Sequence, residues 1–560
     1  MTKGNPLLFL IIITIVSVII RFYQLGSIPN GLSTDEADIG YNAYSIIRTD
    51  ADVYGRKYPL FFQSLDDYKP GFVFYLTIPA IAAFGLNDFS VRLAPAIFGI
   101  FTPALMYVLI KLLYPNNNTL PYLSAVLTVF APWNIALSRA MIQYIPVIFF
   151  YLLFFTLFIF AQKRTLKAHI KFAVLISSFF VLSITLYVYY ASFIYLPLIL
   201  AVTIYLYRDF FKKNLKIFST AILILTIFSL PAIKHYSKEE SKNRLNSISI
   251  FTPDITLPIS IEEMKHDIAE NDPVANIIHN RRFVYFEAIL DNYFDYFNPD
   301  YLFVNANKIR YFYVHNVGLF YLLELPFALY GFYVLLKRRK KADLLILNLA
   351  FLGPAPAMIT TGSPLPHRAL LLLIAVQLIS AIGVSTFFTN NRTRLRSPNL
   401  IKRWPALVTI LVTIYAISIY FFLHQYFIHA PREFILGGWF PGIRDSIPVV
   451  NAHKSGYDKV IFTWSQERQV PPVYFLFYNK IDPRIIQSKA AMWTNEPPSY
   501  RQIYNQIGNI DFRPIYWEKD KDLKNTLFIG YPKEFTTDIN IIDKTYLPNG
   551  NEHFLLVATD

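Results

Sequence analysis

Membrane-length apolar runs punctuate the chain, and the polar breaks between them alternate in charge. One set of breaks is basic: Lys163-Arg164 with Lys167 and Lys171, then Arg208 with Lys212, Lys213 and Lys216, then Lys337 to Lys341, then Arg392, Arg394, Arg396, Lys402 and Arg403. The other set is poor in net positive charge: the long segment after Arg21, the surroundings of Ser138-Arg139, Tyr187 to Tyr190, Lys234 to Tyr313, and Gly362 to Arg368. A spanning helix needs about 20 mostly apolar residues, and cytoplasmic loops collect Lys and Arg. The pattern therefore describes a multi-pass α-helical membrane protein. A chain of 560 residues that is 54% hydrophobic and 16% charged is too apolar for an ordinary soluble protein. Its net charge of +14 lies in the loop clusters, so nucleic acid is not an expected partner.

Charge also settles the span count. Gly71 to Phe84 is apolar but short, contains Pro79 and ends at Gly85-Leu86-Asn87-Asp88. Counting it as a span would place every later basic cluster outside, so it is expected as an interfacial or re-entrant helix. Eleven spans remain, near 6–21, 92–113, 120–138, 145–162, 170–187, 190–207, 216–234, 315–336, 342–361, 367–388 and 404–424. They put the N-terminus in the cytoplasm and the C-terminus outside a plasma (inner) membrane. The first run follows Lys3 and leads into Arg21-Phe22-Tyr23-Gln24, not a small-residue cleavage site, as in an uncleaved signal anchor. With no cysteine, a disulfide framework and a thiolate metal site are both excluded.

The expected organisation is a transmembrane domain over 1–429, with a first outer loop at 22–91 and a large outer loop at 235–314, followed by a soluble extracytoplasmic α/β domain over 430–560. Strand-like runs in that tail are Lys459 to Thr463, Val473 to Phe477, Leu527 to Gly530 and His553 to Val557.

The informative charges collect on the outer side. Asp35 and Glu36 follow Ser33-Thr34, which is also how a helix begins, so an N-terminal cap is one reading of the pair. Asp66, Asp67 and Lys69 follow in the same loop, Arg139 ends a span, and His367-Arg368 begin another. Acids opposite cations at a bilayer surface suit sugar transfer from a polyprenyl-phosphate donor. A base takes the acceptor hydroxyl's proton, and cations hold the departing phosphate. Glu324, about nine residues into the eighth expected span and roughly 13 Å from its outer start, is either functional or a structural tie.

The same residues resemble the membrane-embedded glycosyltransferases of the GT-C superfamily, particularly the protein O-mannosyltransferases and the bacterial lipid A aminoarabinose transferase. The resemblance rests on Asp35-Glu36, Tyr68-Lys69-Pro70, Val91 to Ala96, Pro132-Trp133 with Ser138-Arg139, and Pro366 to Ala369. It implies a GT-C-like fold of about 11 transmembrane helices and inverting transfer from a polyprenyl-phosphate sugar to a protein, lipid or glycan hydroxyl. It also implies Asp35, with Glu36, as catalytic acids, and Asp66, Asp67, Lys69, Arg139, His367 and Arg368 as donor-phosphate or substrate contacts. The chain departs from the aminoarabinose transferase at Tyr68, where that enzyme has a glutamate, so a divalent metal stays open with no ligands assigned. The alternative from another class is a transporter or flippase for a lipid-linked or envelope substrate. Such a protein would place charges near the midplane and show paired repeats.

Overall fold

The computed structural model describes residues 5–560 apart from 66, 141–142, 164, 239–246, 253–255, 307–313, 363, 395–397, 434–437, 467–468, 494–497 and 537–538. Asp66 thus lies outside the described residues. The chain folds as two compact units. One comprises 1–20, 98–137 and 143–422, and the other 21–97, 138–142 and 423–560.

The first unit is helical. Among the described residues of the whole chain, six helices are long and apolar enough to cross a membrane, or seven if Leu120–Phe130 and Pro132–Arg139 form one bent span. Four other expected spans fall on shorter helices: Pro6–Phe22 (α1), Ser192–Leu206, Glu324–Arg338 and Lys341–Leu352.

Three of these expectations need local correction. The run 120–138 is not continuous but bends by 52°. Ala131 precedes Pro132 and adopts ψ 127, the extended backbone that a following proline imposes. The helix expected from 315 begins instead at Glu324, because the preceding residues bond to an earlier segment: Phe320 N–H donates to Leu302 O at 2.8 Å and Ala306 N–H to Val317 O at 3.1 Å. Gly318 allows that approach, since a Cβ there would lie 2.4 Å from the Phe303 carbonyl carbon. Glu324 is accordingly the first residue of its helix, and its carboxylate accepts from the Gln377 amide at 3.1 Å. The run 342–361 stays helical only to Leu352, after which Pro354 and Pro356 lack the N–H that a continuing helix needs. Helices Glu324–Arg338 and Leu370–Arg394 cross closely at Gly331 and Gly383, where an added Cβ would meet backbone oxygen at 2.0 and 1.8 Å.

The second unit joins the first long loop to the C-terminal region. Its loop part holds Thr34–Thr49 (α2), the hairpin Phe61–Ser64 (β1) and Asp67–Pro70 (β2), Phe72–Phe84 (α3), and the start of Asp88–Leu113 (α4). The C-terminal part is a six-stranded mixed sheet in the order β4-β5-β3-β6-β8-β7. These strands are Lys459–Phe462 (β3), Gln506–Ile507 (β4), Ile510–Phe512 (β5), Thr526–Gly530 (β6), Asn540–Tyr546 (β7) and Glu552–Ala558 (β8). Strand β3 runs parallel to β5 and β6, and the other pairings are antiparallel. Ile461, Trp517, Phe528, Phe535 and Val557 pack on one face.

Three of the four expected strands are present. The fourth run, Val473 to Phe477, is part of the helix Pro471–Asn479. A short unbroken apolar run fits either a buried strand or a buried helix, and here Pro471-Pro472 supply a helix start. That helix lies against α2: Tyr474 OH donates to Leu32 O at 3.1 Å, and Gly40 admits the Phe477 ring, 2.6 Å from where its Cβ would be.

Candidate active site

Helix α2 opens with a capping box. Ser33 adopts φ −74 and ψ 160, its hydroxyl accepts from Glu36 N–H, and the Glu36 carboxylate accepts from Ser33 N–H at 2.9 Å. The two neighbouring acids are thereby sorted into different environments. Glu36 faces inward, 1% exposed, and its second oxygen accepts from Arg92 Nε at 3.0 Å. Trp439 Nε1 donates to the same carboxylate at 3.1 Å. Arg92, also buried, donates onward to Pro29 O at 2.7 Å and to Gly31 O, fixing the loop ahead of the helix. Asp35, one residue earlier, points outward with its side chain 52% exposed.

The hairpin β1–β2 carries Lys69 to this acid. Strand β2 pairs antiparallel with β1, Lys69 opposite Phe62, and Phe62 stacks on Phe74 of α3 with ring centroids 4.1 Å apart. Lys69 Nζ lies 2.5 Å from Asp35 Oδ1. Burial alone would lower the Lys69 pKa, but the Asp35 and Asp38 carboxylates outweigh it and the net shift is upward, so the ammonium stays charged.

Asp38 belongs to this group, although the motif reading had not selected it. It lies three residues after Asp35 on α2, hence on the same face. It is buried, accepting from Ser64 Oγ and, at 3.1 Å, from Asn42 Nδ2. Burial pushes its pKa up to about 6 against the opposing pull of Lys69. Asp67, at the start of β2, is half-buried. Among the described residues no group of three His, Cys, Asp or Glu could hold a metal ion, and the cation at Asp35 is the Lys69 ammonium.

Arg139 is fully buried within the same unit. Its guanidinium donates to Arg21 O at 2.6 Å and Ile28 O at 3.1 Å and lies over the Phe427 ring at 4.8 Å.

His367 and Arg368 belong to the first unit, where they line a mainly apolar cavity of about 370 Å³ with Tyr189, Tyr190, Ile194 and Ile359. Arg368 donates to Thr360 Oγ1 at 2.8 Å and Thr361 O at 2.5 Å, while Tyr195 OH donates to Arg368 O at 3.0 Å. The His367 ring stacks on Tyr144 at 4.7 Å. Asp35, Glu36, Asp67, Lys69 and Arg139 therefore fall in one unit, and His367 with Arg368 in the other.

Comparison with known proteins adds three findings. A family model described as dolichyl-phosphate-mannose-protein mannosyltransferase matches residues 11–236, a stretch containing Asp35, Lys69 and Arg139. No curated protein sequence matches the chain. Among solved structures, the chain is similar to ArnT from Cupriavidus metallidurans bound to undecaprenyl phosphate, with 11% identity, TM-score 0.56, and coverage of 100% of this chain and 98% of that one. ArnT in the apo state gives 10% identity, TM-score 0.54, and coverage of 98% and 97%. The Archaeoglobus fulgidus oligosaccharyltransferase in complex with Zn and sulfate gives 15% identity, TM-score 0.50, and coverage of 84% of this chain and 61% of that one. At these identities the likeness is one of fold: the chain shares the fold of ArnT over nearly its whole length.

Proposed function

We propose that this GT-C-fold membrane protein is a glycosyltransferase that moves a sugar from a polyprenyl-phosphate carrier to an extracytoplasmic hydroxyl, with inversion at the anomeric carbon. The observation that carries the reading is Asp35: a solvent-facing carboxylate held at a helix start by a buried lysine, beside two acids that are themselves buried and hydrogen-bonded. The mannosyltransferase family match and the undecaprenyl phosphate of the ArnT structure support a lipid-phosphate donor.

In this mechanism the Asp35 carboxylate takes the proton of the acceptor hydroxyl. The freed oxygen attacks the anomeric carbon, the bond from that carbon to the phosphate oxygen breaks, and polyprenyl phosphate departs with the electron pair. Lys69 orients Asp35, while Asp38 helps to hold the Lys69 ammonium. Arg368, with the tyrosine-lined cavity around it, suits a phosphate on an apolar chain, since its guanidinium meets phosphate in a fixed fork. Glu36 and Arg139 act by position: one holds α2 to Arg92, the other holds the 21–28 segment. Membrane anchorage puts the lipid donor within reach, and the alternation of basic and non-basic loops supports a cytoplasmic N-terminus and an outer C-terminal region.

The test is transfer or slow hydrolysis of radiolabelled mannosyl, glucosyl and arabinosyl polyprenyl phosphates by the purified protein. Turnover of at least one is expected, and complete inertness toward all three would remove the proposal.

A further inference from the structure

The C-terminal region holds a cavity of about 410 Å³ lined by Trp439, Gly442, Gln469, Tyr531, Lys533, Glu552 and His553, among others. Its size lies within the range of small-molecule sites, roughly 300–1,000 Å³. We propose that it is a carbohydrate subsite seating a neutral sugar unit of the acceptor, an inference that rests on the glycosyltransferase reading above.

The chemistry of the lining selects the ligand. An amide and a phenol, Gln469 and Tyr531, are already aligned by the hydrogen bond from Tyr531 OH to Gln469 Oε1. Paired donor and acceptor groups beside an aromatic ring suit a polyol with one apolar face. Among the described residues of the wall charge is balanced: there is one cation, Lys533, and one anion, Glu552, and the latter is also paired with Lys544 at 2.6 Å. Burial holds the His553 pKa down to about 4, so the imidazole is neutral near pH 7. Among the described lining residues no second cation joins Lys533 to build the positive cluster that a phosphate site needs. Gly442 lets the His553 ring pack against its backbone in the wall, since a Cβ at that position would lie 2.3 Å from His553 Nδ1.

The position supports an acceptor role. The wall segment beginning at Trp439 is stitched to the loop that leads into α2: Ser33 and Trp439 form an antiparallel bridge, Phe440 N–H donates to Leu32 O at 3.1 Å, and the Trp439 indole donates to Glu36. The backbone that builds the cavity wall is therefore fixed to the backbone that presents Asp35. Rigid attachment of a binding surface to a catalytic group is how an acceptor hydroxyl is brought into register with its base.

Full-length protein in lipid nanodiscs should be titrated with neutral hexose and N-acetylhexosamine oligosaccharides, with an acidic oligosaccharide and inorganic phosphate as controls. At least one neutral oligosaccharide should bind, with affinity falling about tenfold in Gln469→Ala and in Tyr531→Ala and unchanged in Asp35→Asn. Variants are compared only where their melting temperature matches the wild type, and Gln469→Ala, half-exposed, serves if Tyr531→Ala does not fold. Absence of neutral sugar binding by a protein that does transfer sugar, binding indifferent to both substitutions, or preference for phosphate would each overturn the subsite. Gln469-dependent sugar binding by a protein inert toward every lipid-linked donor would keep the subsite and remove the transferase reading instead.

Discussion

Lys69 Nζ meets Asp35 Oδ1 at 2.5 Å, joining a hairpin strand to a helix start 34 residues earlier in the chain. The pair is asymmetric: the lysine side chain is 6% exposed and the aspartate 52%. The cation is thus fixed by the fold while the acid keeps a face toward solvent, where a substrate hydroxyl can reach it.

Replacing Lys69 by Met should lower transfer by about 10- to 100-fold, because Asp35 loses its orienting partner and the positive charge that favours its ionised form. The pH–rate profile should shift toward higher pH as well. Lys69→Arg should recover only part of the rate, since a planar guanidinium does not fit a site built for an ammonium. An unchanged pH profile in Lys69→Met would show that the lysine does not act through Asp35.

Glu36 and Arg92 form a buried pair at 3.0 Å. Removing either partner leaves the other charge buried, at a cost of about 3–5 kcal/mol. Glu36→Met and Arg92→Met should each lower the melting temperature of detergent-solubilised protein sharply, and the double variant Glu36→Met, Arg92→Met should lose less than their sum. Fully additive losses would show that the two side chains are not coupled.

Asp38 makes stability depend on pH in a defined direction. Its folded-state pKa of about 6 lies above the ordinary carboxylate value, 3.8. Its stabilising contribution is fully present below about pH 4 and is lost as pH rises through 6. Asp38→Asn lacks this dependence, so its melting temperature relative to wild type should rise between pH 4.5 and pH 7. A difference that stays flat over that range would mean Asp38 titrates as an exposed acid.

Much of this arrangement was legible in the residues because its causes are local. Ser33 with Glu36 three places on is a capping signature, and the cap reading holds for Glu36, while Asp35 stays exposed. The Asp35–Asp38 spacing was a signal passed over: three residues apart on a helix, the two acids share a face. Burial of Lys69 between them was not legible, because it depends on hairpin register, and neither was the inward turn of Arg139, which depends on backbone carbonyls over a hundred residues away. Pro132 and Pro354 carried the signal for the broken helices, but the expected spans ran through both because apolar length alone defined them. The start of the Glu324 helix was hidden because it depends on pairing between 302–306 and 317–320.

Topology is testable without any assay of activity. A reporter fused after Arg339 should be cytoplasmic, and reporters after Asn87 and Asp560 should be extracytoplasmic. An Asn87 reporter found inside would mean that α3 crosses the bilayer.

The role of Asp35 is tested most directly by single-turnover transfer from a labelled polyprenyl-phosphate sugar, comparing wild type with Asp35→Asn. The isosteric amide keeps the shape of an exposed side chain and removes the proton acceptor. The rate should therefore fall by about 10² to 10⁴ with donor binding unchanged, while the melting temperature falls modestly because buried Lys69 keeps only Asp38 as a carboxylate neighbour on α2. Wild-type turnover by Asp35→Asn would contradict the assignment of this carboxylate as the base.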